Sequence, residues 1–88
     1  MKLLVVYRSN SDHGRKTEDF IYEYKRRYPG TRVDVVGIDT REGSATASIY
    51  DITSYPAILA LQDNGAVSMV WQGDSLPLID EVAGYALN

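Results

Sequence analysis

The chain has 88 residues, a net charge of −3 and 44% apolar residues, enough for one modest core and a single domain spanning residues 1–88. It contains no cysteine, which excludes disulfides, thiolate metal sites and any dithiol redox chemistry carried by the chain itself. The acidic balance argues against nucleic acid as a partner, and no apolar run resembles a membrane span or a cleavable leader, so a cytoplasmic location is expected.

Leu3–Tyr7 is apolar at successive positions, the pattern of a central strand covered on both faces. The polar loop Arg8–Lys16 follows, in which Ser11 or Asp12 is expected to cap the next helix. Thr17, Phe20, Ile21, Tyr24 and Tyr28 recur at helical spacing and predict its buried face. Tyr22 is expected to be exposed. Glu18, Asp19 and Glu23 precede Lys25, Arg26 and Arg27, the order the helix dipole favours, and Pro29-Gly30 ends the helix. Val33–Ile38 reads as a second strand, placed at the outside of the sheet by Arg32 and Asp34. A strand, a helix and a strand in this order imply a right-handed parallel crossover.

Glu42–Tyr50, rich in alanine and serine, predicts a short helix able to lie close to a sheet. Two apolar runs, Ala57–Leu61 and Val67–Trp71, flank Asp63-Asn64-Gly65, which supplies the positive-φ positions of a hairpin turn. Pro56 stands at the entrance of the first run, where a strand tolerates proline. Gly73-Asp74-Ser75 turns into a last helix, with Ser75 as the expected cap, Pro77 in the first turn, and Ile79, Val82, Ala83 and Ala86 as the buried stripe. Tyr85 is expected to be exposed. The order is βαβαββα: an α/β fold with a four-stranded mixed sheet, helices on both faces, and the hairpin pair antiparallel to the first two strands. A ferredoxin-like sandwich would need a strand at 42–50, and that segment lacks β-branched alternation.

Taken together, these features resemble the thioredoxin fold in its minimal form, without the extra N-terminal strand and helix of full-length thioredoxins. Val6-Tyr7 matches the end of the family's central strand, and Asp39 with Tyr50-Asp51-Ile52 the segment around its short helix. Tyr55-Pro56-Ala57 matches the Ile-Pro-Thr-like element, and Gly73 the glycine after the last strand. The resemblance implies a cis Tyr55–Pro56 bond beside the substrate groove. It also puts Ser11-Asp12-His13-Gly14 where the family carries Cys-Gly-Pro-Cys, at positions expected to lie within bonding distance for an introduced cysteine pair. The buried proton-relay aspartate falls on Val5 and its lysine partner on Val35. Sulfurs and relay are absent together, so a redox-inactive member is expected, with no disulfide oxidoreductase activity.

Ser11, Asp12 and His13 name a nucleophile, an orienter and a base, but the side chains of three adjacent residues diverge and form no triad. His13 and Asp12 are too few to hold a metal, and no cofactor is expected. Free amides with Arg15 and Lys16 would favour an anion at the helix start, a tendency Asp12 opposes. Tyr55, before the proline, either reshapes the groove for a ligand or packs over the vacated cysteine site. Trp71 marks either a partner surface or the cover of a hydrophobic corner. The expected function is therefore binding of a protein or peptide through the former substrate groove, at Ser11, Asp12, His13, Gly14, Tyr55, Pro56 and Gly73. The alternative is a glutathione-binding, transferase-like domain. Glutathione transferase N-terminal domains share this topology, some with a serine near the position of Ser11, and Asp74-Ser75 is similar to their acidic-Ser element. A purely structural or dimerising module is the third reading.

Overall fold

In a computed structural model that describes residues 2–73 and 75–86, the chain runs β1 (Lys2–Tyr7), α1 (Gly14–Arg27), β2 (Arg32–Gly37), α2 (Arg41–Ile49), β3 (Ala57–Leu61), β4 (Val67–Gln72) and α3 (Ile79–Ala86). The strands form one sheet in the order β2-β1-β3-β4. β1 and β2 are parallel, with Val5 opposite Val35; β3 is antiparallel to β1, and β4 is antiparallel to β3. Only β3 therefore opposes the first two strands. A hairpin reverses the chain once, so β4 runs with β1 and β2 rather than against them.

The two central strands are buried along almost their whole length, and their side chains alternate between two cores. Leu3, Val5, Ile58 and Ala60 face Phe20 and Tyr24 of α1 and Val82 and Ala83 of α3. Leu4, Val6, Leu59 and Leu61 face Ala47 of α2 and Ile52. α1 and α3 thus share one face and α2 holds the other. α2 can lie close because its inner positions are small: a Cβ on Gly43 would stand 1.8 Å from the Gly37 carbonyl oxygen. Thr40 caps α2, its Oγ1 accepting from the Gly43 N–H at 2.9 Å and donating to the Gly37 carbonyl at 2.7 Å.

The turn between β3 and β4 uses its sequence as expected. Gly65 sits at φ +88°, and Asn64 Oδ1 accepts from the Ala66 N–H at 2.9 Å. The Gln62 N–H donates to the Ala66 carbonyl, which closes the hairpin. α1 stops at Arg27 because Pro29 biases Tyr28 away from helical geometry (φ −128°, ψ 67°).

Both expected helix starts are corrected. α1 begins at Gly14 with His13 at the cap position and no side-chain cap. Ser11 is spent on another bond, its hydroxyl donating to the Arg8 carbonyl, and Asp12 is exposed. The first turn of α1 holds no acid, only Arg15 and Lys16, with Glu18 and Asp19 coming later. α3 begins at Ile79, later than Ser75 and Pro77 suggested; the Leu78 carbonyl accepts the first helical bond, from the Val82 N–H. In its stripe Val82 and Ala83 are buried and Ile79 packs against the core; the Asp74 position and the Ala86 side chain lie outside the described residues.

Candidate functional site

Three segments meet at the end of the sheet where β1 and β2 finish. They are the loop after β1, Ile38 just past β2, and the connector that leads into β3. Arg8, Ser11, His13, Ile38, Thr53, Ser54 and Tyr55 line an open groove of about 320 Å³ between them. Loops at the carboxyl ends of parallel strands are where α/β sheets place ligands. Ser11, His13 and Tyr55 are brought together here; Asp12, Gly14, Pro56 and Gly73 do not line the groove. Pro56 is buried, and its carbonyl accepts from the Gly73 N–H at 3.1 Å, with Gly73 at φ +107°. The Tyr55–Pro56 peptide is cis.

The polar side chains of the first loop act on its backbone. The Arg8 N–H donates to His13 Nε2 at 3.2 Å, while the Ser11 hydroxyl donates to the Arg8 carbonyl. Ser11 therefore gives its proton to a carbonyl rather than to His13, and no nucleophile–base pair exists. Among the described residues no three histidine or acidic side chains cluster to hold a metal. The structure thus turns Ser11 and His13 into brackets for the Arg8 backbone, and among the described residues Arg8 is the one Lys, Arg, Asp or Glu in the groove lining. Gly14 is buried against the same loop. A Cβ there would lie 2.3 Å from the Ser9 carbonyl oxygen, so a cysteine pair at 11 and 14 requires the loop to move.

The connector is held from the far strand. Gln72 Oε1 accepts from the Thr53 N–H at 3.0 Å and the Ser54 N–H at 3.1 Å. Tyr55 itself packs partly against the α2-side core. Among the described residues its N–H and carbonyl carry no hydrogen bond. Val5 and Val35 stand side by side in the β1–β2 register: Val5 is fully buried and Val35 is 41% exposed. Trp71 covers a corner. Its ring meets Tyr85 edge-on at 5.4 Å and its Nε1–H donates to Glu81 at 3.3 Å.

Arg8, Ile38, Thr53, Ser54 and Gln72 were not singled out by sequence. Arg8 carried a usable signal, being the first residue beyond a central strand. Gln72, a lone amide at the end of an edge strand, carried none.

Solved structures with the same architecture include thioredoxins. Thioredoxin O2 from Arabidopsis thaliana superimposes with a TM-score of 0.72 at 14% identity, over 94% of this chain and 69% of that one. Thioredoxin from Plasmodium falciparum gives 0.70 at 20% identity, over 97% and 82%. Mitochondrial thioredoxin 3 from Saccharomyces cerevisiae gives 0.70 at 16%, over 83% and 66%. No family model and no curated protein sequence matches the chain. The fold is a minimal thioredoxin-like fold, and it is built here without a cysteine.

Proposed function

We propose that this protein is a redox-inactive thioredoxin-like domain that binds an extended protein or peptide segment along the groove at Tyr55. The observation that carries this reading is the unpaired Tyr55 N–H and carbonyl beside the groove. Among the described residues they have no partner, and an extended main chain supplies both a donor and an acceptor. The charge of Arg8 suits a segment that carries a carboxylate.

Glutathione binding remains the second reading, favoured by the same arginine, since that tripeptide also presents carboxylates. It loses support from Ser11, whose hydroxyl proton is already committed to the Arg8 carbonyl. Peptides selected from a random library, and glutathione separately, distinguish the two by titration calorimetry. The peptide reading expects saturable binding of selected peptides that Tyr55→Ala weakens by about 2 kcal/mol, the scale of an aromatic anchor. Lys25→Ala, outside the groove lining, should leave it unchanged. Binding of glutathione alone would overturn the peptide reading.

A further inference from the structure

The two edges of the sheet are finished differently. The pairing of β4 with β3 is irregular opposite the Ala60/Leu61 step, and Trp71 of β4 packs on the sheet face against Tyr85 of α3. An irregularity of this kind is one way proteins blunt an edge. β2 pairs with β1 in unbroken register, and no strand among the described residues lies on its other side.

The direction of its free groups follows from one bond. The Ile38 N–H donates to the Tyr7 carbonyl, so the groups of Asp34 and Val36 also point to β1. Those of Val33 and Val35 point outward. Open clefts flank this edge on both faces, each lined by apolar and charged side chains together. On the α1 face, Ile21, Tyr22 and Val35 border an open cleft of about 310 Å³. On the α2 face, Val36 and Ile49 border another of about 470 Å³. Tyr22 is 71% exposed and Ile49 73%. A bare strand with a cleft on each side has the shape that an added strand fills, its side chains falling alternately to the two faces.

We infer that the β2 edge is a self-association surface, pairing antiparallel with β2 of a second copy across a two-fold axis. The charges identify the occupant. Arg32 and Asp34 lie on the same face, one on each side of Val33, with Arg32 Nε 3.2 Å from Asp34 Oδ1. With Val33 on the axis, Arg32 of each copy stands directly opposite Asp34 of the other, and the outward groups of the two Val33 residues bond to each other. The neighbouring register, with Val33 opposite Val35, would set Asp34 against Asp34 and is disfavoured. An isologous contact also places the Tyr22 side of each copy on the same sheet face as that of its mate, and likewise the Ile49 sides.

Sedimentation velocity over a wide concentration range tests this on the wild type and three variants. The wild type should approach twice the chain mass as concentration rises. Val35→Pro removes an outward N–H that no β1 bond uses, and Val35→Lys places a charge on an exposed position; both should stay monomeric with unchanged circular dichroism. Arg32→Glu, which turns two cross-strand attractions into repulsions, should raise the dimer dissociation constant about tenfold or more. A wild type that is monomeric at every concentration overturns the inference and leaves the edge to a strand from a different protein. A dimer that survives both Val35→Lys and Arg32→Glu overturns it as well, because its interface then lies elsewhere.

Discussion

Gly14 shows how one residue decides what the first loop can become. Its missing Cβ lets the start of α1 press on the Ser9 carbonyl, and any side chain there would sit 2.3 Å from that oxygen. Gly14→Ala should therefore destabilise the fold by about 1–3 kcal/mol, the usual cost of overpacking a filled site, read by urea denaturation. Gly30→Ala is the control: nothing lies within 4 Å of the added carbon, and a change within about 0.5 kcal/mol is expected. The Ser11→Cys, Gly14→Cys pair inherits the Gly14 clash. It should be less stable than wild type when reduced, a result that separates this loop from one merely emptied of its sulfurs.

At the scale of elements, strands and helices were legible wherever burial repeated a period. The apolar runs gave β1 and β3 and the three- and four-residue spacing gave α1, because each pattern faces a core. Helix starts were less legible. Ser11 is a good cap by type, yet its hydroxyl has the Arg8 carbonyl within reach. Pro77 suits a first turn, but α3 takes its first carbonyl from Leu78. Both choices rest on the local path of the backbone, which residue type alone does not carry. The groove was half legible for the same reason: Tyr55 stood out beside a proline, whereas Gln72 reaches the connector from a strand 18 residues away in sequence. Gln72→Leu should remove the acceptor from the Thr53 and Ser54 amides. Their hydrogen exchange should quicken while that of the β1 and β3 amides changes little, at a cost of about 1 kcal/mol.

Across the whole molecule, side-chain bonds tie separate elements together and make stability depend on pH. The Tyr7 hydroxyl donates to Glu18 at 2.8 Å and the Tyr28 hydroxyl to Asp80 at 2.8 Å. Partial burial, with Glu18 beside it, raises Tyr7 above the ordinary tyrosine value of 10.0. The bond to Asp80 raises Tyr28 in the same direction. A raised pKa stabilises the fold below the unfolded value and loses that contribution as pH climbs through the folded one. Unfolding free energy should therefore fall on the alkaline side, and Tyr7→Phe with Tyr28→Phe should flatten that fall. Asp34 behaves oppositely. Its bonds to Lys2 and Arg32 hold it below the ordinary 3.8, so its contribution is present above that value and fades as pH drops through the folded pKa. Asp34→Asn should make the acid limb shallower, by a small amount because the site is open to solvent.

No helix among the described residues is long and apolar enough to cross a membrane, and the groove is open to solvent. Main-chain docking at Tyr55 is what we propose for this thioredoxin-like fold without cysteine. Amide hydrogen exchange at Tyr55, measured with and without a library-selected peptide, tests it most directly. The Tyr55 N–H, unpaired in the free protein, should exchange quickly alone and gain protection when the peptide is bound. Saturable binding that leaves the Tyr55 amide as fast as before would place the peptide elsewhere on the molecule.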